Sequence, residues 1–219
     1  MTIEILYEDN HLIAVYKPAG ILAQGDETGE ESIFDLVKKY IKEKYKKEGN
    51  VFLGLVHRLD RPVSGIMVFA KTSKGASRLS EQFRNHEVEK TYHAVVSGRM
   101  ERKKGIVFSY LKKDEDKNKV FIHKFADRET KESELSYEVA ESNGKFSLIK
   151  IKPLTGRSHQ IRAQLSSIGH PIIGDIKYGA KESLPDHSIA LRATGLVFKK
   201  ATEDEIIKLE ILPFELPKN

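Results

Sequence analysis

The sequence predicts an α+β fold, one domain over residues 1–219 built on a large, mixed and mostly antiparallel sheet flanked by helices. Three observations carry this. Apolar residues recur at helical spacing in only three well-separated segments, near 32–41, 73–83 and 157–168. From Val88 to Lys152, segments rich in Val, Ile, Phe and Tyr follow one another, divided by charged or Gly-containing turns such as 112–119 and Asn143-Gly144. No repeat, low-complexity tract or linker interrupts the 219 residues, a length that can bury a core without disulfides.

The chain opens with apolar and polar residues alternating through Ile3, Ile5 and Tyr7, turns at Asp9-Asn10, and runs apolar through Leu12, Ile13, Val15 and Tyr16. That predicts a strand pair. Pro18 has no amide hydrogen and Gly20 tolerates positive φ, so Lys17-Pro18-Ala19-Gly20 ends the ladder. Ser32 then caps a helix with Ile33, Leu36, Val37, Tyr40 and Ile41 on its inner face and lysines at its far end, where they suit the helix dipole. The lysine-rich 42–47 reads as a solvated helix face.

Two apolar segments, Val51 to Leu59 and Gly65 to Ala70, read as strands buried on both faces, joined by the turn-rich Asp60-Arg61-Pro62-Val63-Ser64-Gly65. Ser73 caps the next helix, with Ala76, Leu79 and Phe83 inward and Lys74, Arg78 and Arg84 outward. Past the antiparallel region, Ile161, Leu165 and Ile168 define a helix over 157–168 that Gly169 ends, and 189–198 and 206–212 close the chain as strands.

Composition narrows the function. Hydrophobic residues at 39% and charged residues at 32% describe a globular protein, and no apolar run approaches the roughly 20 residues of a membrane-spanning helix. The absence of cysteine removes disulfides, thiol nucleophiles and thiolate metal sites. The opening Met1-Thr2-Ile3-Glu4-Ile5 lacks the pattern of a secretory signal, so a cytoplasmic location is expected. A net charge of +5 and a pI near 9.1 favour polyanionic partners such as RNA.

Three segments place ionisable residues in apolar surroundings: His57-Arg58-Leu59-Asp60-Arg61-Pro62-Val63-Ser64-Gly65, Lys90-Thr91-Tyr92-His93-Ala94-Val95-Val96-Ser97-Gly98, and Leu154-Thr155-Gly156-Arg157-Ser158-His159-Gln160-Ile161-Arg162. In this order they resemble the three motifs of the RluA-type pseudouridine synthase family. Asp9-Asn10-His11-Leu12 through Lys17-Pro18-Ala19-Gly20 is similar to that family's opening segment, and Ile168-Gly169-His170-Pro171-Ile172 with Gly174-Asp175-Ile176-Lys177-Tyr178-Gly179 to its late one. The departures are Val63 where the family often has Thr, Gln164 where it often has His, and the absence of an S4-type RNA-binding domain ahead of the core.

The resemblance implies a single pseudouridine synthase domain with a central RNA-binding cleft, acting as an isomerase on uridine in rRNA or tRNA. It also implies the roles. Asp60 is the carboxylate that starts the reaction, by attack on ribose C1′ or by removing a sugar proton. Arg157 keeps that carboxylate ionised against desolvation. Tyr92 lies against the target base, and Arg58 fills the gap left when the nucleotide is rotated outward. His57, Arg61, Lys71, His159, Gln160 and Arg162 are expected RNA contacts. No cofactor is implied. His57 and His159 have no third ligand at metal-binding spacing, so no metal is expected. Monomer is the default expectation, and a catalytically silent RNA-binding protein on the same fold is the alternative reading.

Overall fold

The computed structural model describes residues 2–217. Its elements run β1 (Glu4–Glu8), β2 (Leu12–Lys17), α1 (Ile33–Lys44), β3 (Gly54–Leu55), β4 (Ser64–Ala70), α2 (Ser73–Arg84), β5 (Glu89–Ser97), β6 (Lys104–Asp114), β7 (Lys119–His123), β8 (Lys131–Ser142), β9 (Phe146–Pro153), α3 (Gln160–Ser167), a 3-10 turn at Ile176–Tyr178, β10 (Leu191–Lys199) and β11 (Ile206–Glu210). Helices flanking antiparallel ladders make this the α+β class that the sequence predicts. Packing divides the chain into two compact units, Met1–Glu89 with Ala193–Ile211, and Lys90–Arg192 with Leu212–Asn219.

In the first unit the strand order is β1-β2-β4-β10, with β11 on β10 and β3 on β4. Every residue of β4 is buried, because helices cover both of its faces. Ile66, Val68 and Ala70 join Leu12, Ala14, Leu196 and Phe198 under Leu79 of α2. The alternate face meets α1, where Phe34 packs against Phe69 at 6.1 Å. Burying each large apolar side chain contributes about 1.5–3 kcal/mol, so the continuous apolar run needs no polar face. Gly65 has φ 133°, and a Cβ there would lie 2.3 Å from the Ala193 carbonyl oxygen. Only glycine permits that approach.

Local chemistry sets the helix ends. Ser32 Oγ accepts from the Asp35 amide at 3.2 Å while the Asp35 carboxylate accepts from the Ser32 amide at 3.1 Å, a capping box. At α2 the cap is Thr72 rather than the expected Ser73, its hydroxyl accepting from the Gly75 amide. The strand expected over Val51 to Leu59 shrinks to Gly54–Leu55. A side chain replaces the ladder there, since the Val68 amide donates to His57 Nε2 at 3.0 Å instead of to a backbone carbonyl.

Glu8 ends β1 as a hub, with its side chain 9% exposed. It accepts from Lys71 Nζ at 2.6 Å, Lys44 Nζ at 2.7 Å, Tyr45 at 2.7 Å and Tyr40 at 3.0 Å. Burial pushes its carboxyl up, but the four donors outweigh that and hold it at about 2 rather than 4.5. With the folded value below the unfolded one, this stabilisation is complete above about pH 4.5 and is lost as pH falls through about 2. Glu8→Gln is therefore expected to lower the melting temperature at neutral pH and to flatten its decline over that acid window. An acid melting profile identical to that of the parent protein would refute the assignment.

The second unit is an antiparallel sheet in the order β5-β9-β8-β6-β7. Gln160 through Leu165 of α3 are all buried, so polar residues point inward and must be matched. Gln164 is fully buried and donates to the Val107 carbonyl at 3.0 Å and the Ser133 carbonyl at 3.2 Å, fastening α3 to β6 and β8. Ala163 packs with Leu111, Val120 and Tyr178.

Candidate active site

In the first unit, Leu59 and Val63, 5% and 2% exposed, anchor a turn from which Asp60 emerges half-buried. The Asp60 carbonyl accepts from the Val63 amide at 3.0 Å and closes the turn. Arg58, on the other side of Leu59, is exposed. Burial thus alternates along Arg58-Leu59-Asp60 as it would on a strand, although the three lie outside the named strands.

The turn is laced to the Lys17–Gly20 segment. The Gly20 amide donates to the Arg61 carbonyl at 2.8 Å, and Arg61 Nε returns a bond to the Gly20 carbonyl at 2.9 Å. Lys17 is fully buried, its ammonium donating to the carbonyls of Pro18 at 2.9 Å, Ile21 at 2.8 Å and Arg61 at 3.2 Å. Burial pushes its pKa down to about 8, with the Asp60 carboxylate drawing it back up.

Several expected RNA contacts prove to be spent on the protein. Lys71, with its side chain 9% exposed, uses its three donors on Glu8, the Asp9 carbonyl and the Tyr45 hydroxyl. The Arg61 guanidinium pairs bidentately with Glu30 at 2.6 and 3.1 Å, although this pair stays exposed. His57 stacks on Phe83 at 4.8 Å while Nε2 accepts from β4, which requires that nitrogen to be unprotonated. These side chains are bonded within the protein, and an ammonium with every proton committed has none left for a phosphate.

In the second unit, Tyr92 lies half-buried on β5 opposite Ile151 of β9. Lys90 shares its face of β5, and burial lowers its pKa. A Cβ on Gly156 would sit 3.6 Å from Lys90 Nζ, so the ammonium lies against the Thr155-Gly156-Arg157 loop. Arg157 itself is exposed and precedes the helix instead of opening it, because His159 adopts a left-handed conformation at φ 49° and α3 starts at Gln160. Arg157 Nε donates to the Glu132 carbonyl at 3.1 Å.

The remaining expected contacts are internal. Arg162 forms a bidentate pair with Asp175 at 2.7 and 2.9 Å, the side chains 6% and 1% exposed, and lies 5.0 Å over the Tyr178 ring. His159 Nδ1 is bonded to the Tyr178 hydroxyl at 2.8 Å, and that hydroxyl accepts from the Val120 amide. Gln160, 4% exposed, is bonded at both ends of its amide. Burial of this kind excludes Arg162 and Gln160 from direct phosphate contact. The sequence does not mark Lys17, Glu30 and Asp175 as site partners, although Lys17 ends an apolar run just before Pro-Ala-Gly and Asp175 lies in the late family-like segment.

The first unit thus carries a half-buried aspartate in a closed turn, and the second a half-buried tyrosine on a strand and an exposed loop arginine. The sequence profile described as RNA pseudouridylate synthase matches residues 11–167, and the chain belongs to that family. It is of the RluA type, and is an isomerase that converts uridine in RNA to pseudouridine. Over 94% of its length it is 33% identical to the tRNA pseudouridine synthase C of Vibrio parahaemolyticus, of which 88% is covered. It is 36% identical over 98% of its length to the ribosomal large subunit pseudouridine synthase C of Rickettsia typhi, of which 69% is covered. Among solved structures, human RNA pseudouridylate synthase domain containing 4 aligns with a TM-score of 0.79 at 25% identity, covering 98% of this chain and 89% of the other. No helix among the described residues is long and apolar enough to cross a membrane.

Proposed function

We propose that the chain acts in the cytoplasm as one monomeric catalytic domain, without cofactor, on uridine in tRNA or rRNA, with Asp60 as the carboxylate that starts the reaction. The observation that carries this reading is the setting of Asp60, half-buried in a turn pinned by Leu59 and Val63, with the buried Lys17 ammonium beside it. The relatives are named for tRNA and for the large ribosomal subunit, which supplies the two substrate classes.

The reaction exchanges one bond for another. The C1′–N1 bond breaks, a C1′–C5 bond forms, C5 loses its proton and N1 gains one, so nothing is consumed. Asp60 begins by attack on C1′ or by removal of a sugar proton. Arg157 takes the guanidinium role that the family's third motif implies. Tyr92 offers its ring to the uracil, a contact of the sort worth about 1–3 kcal/mol per base. Its hydroxyl is a candidate acceptor for the C5 proton. Exposed Arg58 stacks into the space the extruded nucleotide leaves.

The purified protein is expected to release tritium from 5-tritiated uridine in tRNA or rRNA transcripts without added metal or nucleotide. RNA binding with no tritium release from either would favour the silent RNA-binding alternative.

A further inference from the structure

We infer that Gln160 is a positioning residue whose side-chain amide holds the Arg157 backbone in register, an inference that rests on the catalytic role proposed for Arg157. Its Oε1 accepts twice, from the Arg157 amide at 3.0 Å and from the Thr155 hydroxyl at 2.7 Å. Its Nε2 donates to the Glu134 carbonyl on β8 at 3.0 Å. Thr155 closes the circuit, because its hydroxyl oxygen also accepts from the Glu134 amide at 3.1 Å.

The circuit matters because of where it stands. The segment from Leu154 to His159 belongs to neither β9 nor α3; its ends are tied by the Leu154 and Thr155 amides donating to the Glu134 carbonyl and by the Ala163 amide donating to the His159 carbonyl, and Arg157 lies between these ties. Gln160 joins it to a strand at Glu134 and to the first turn of α3 through its own backbone, whose amide donates to the Arg157 carbonyl at 3.2 Å. Both backbone polar groups of Arg157 are therefore bonded to this one residue. At 4% exposure, water does not compete for these bonds, which strengthens them and makes their loss costly.

A long side chain magnifies backbone error. Small rotations at the Arg157 backbone displace its guanidinium by an ångström or more, and a misplacement of about 1 Å can cost on the order of 100-fold in rate.

The test uses Gln160→Met, which keeps length and loses both polar ends, and Thr155→Val, which cuts the circuit at its other side. Each is expected to lower kcat for pseudouridine formation by about 10- to 100-fold, with KM for RNA close to that of the parent and a melting temperature lowered by the lost buried bonds but still well above the assay temperature, while Thr155→Ser restores the rate. Combining Gln160→Met with Arg157→Ala should be no slower than Arg157→Ala alone. Multiplicative losses in the double variant, or losses carried by KM, would overturn the inference. Amide hydrogen exchange at Arg157 gives a readout independent of activity: protection in the parent that collapses in Gln160→Met supports the clamp, and unchanged exchange overturns it. An inactive parent protein would instead count against the proposed function.

Discussion

Asp60→Asn is expected to abolish pseudouridine formation, a loss on the order of 1000-fold or more, while the protein melts and binds RNA much as the parent does. The substitution preserves shape and leaves the Asp60 carbonyl to accept from Val63, so the turn stands. The anchors Leu59 and Val63 are untouched. What disappears is the negative charge. A second consequence follows at Lys17, where burial lowers the pKa to about 8 and Asp60 opposes that fall. Without the carboxylate the Lys17 pKa should drop further below that value, which a titration followed by NMR at the side-chain amine would detect. Tritium release by Asp60→Asn within about tenfold of the parent rate would remove Asp60 from the chemistry, and the reading of this site with it.

The largest loss of stability is expected at Arg162. Removing one partner of a buried, bidentate pair strands the other charge, at a cost of about 3–5 kcal/mol. Arg162→Ala also empties the space above the Tyr178 ring and loosens α3 from the 3-10 turn. For a chain of this size the melting temperature should fall by roughly 10 °C or more, and Asp175→Asn should fall by a similar amount. Replacing both charges together, Arg162→Met with Asp175→Leu, should recover part of the loss, since neither charge is then left buried alone. RNA affinity measured well below the lowered melting point should match the parent. A selective loss of RNA affinity in a fully stable Arg162→Ala would return this residue to the RNA interface.

Residue by residue, the sequence was most informative where the signal is local. Ser32 and the periodic Ile33, Leu36, Val37 and Ile41 specify α1 because cap and apolar stripe lie within a few turns of each other. The apolar run through β4 is likewise legible, although which helix covers which face is not. Long-range partners were opaque. Val51 to Leu59 has the composition of a strand, yet a histidine ring takes the Val68 amide and the ladder stops at Leu55. Arg157 has helical neighbours in sequence, yet the left-handed His159 keeps it in the loop.

Charge was the least legible property. Lys71, Arg162 and Gln160 have the chemistry of RNA contacts, and sequence cannot say that Glu8, Asp175 and Glu134 wait for them from far along the chain. The three motifs and their order by themselves determined the family and the reaction class, and they single out Asp60 as the carboxylate to test, because that information lies in contiguous residues. Tertiary structure alone decided which cations face outward and which are bound within the protein. An ionic partner is set by proximity in space, and folding brings it from 13 to 63 positions away.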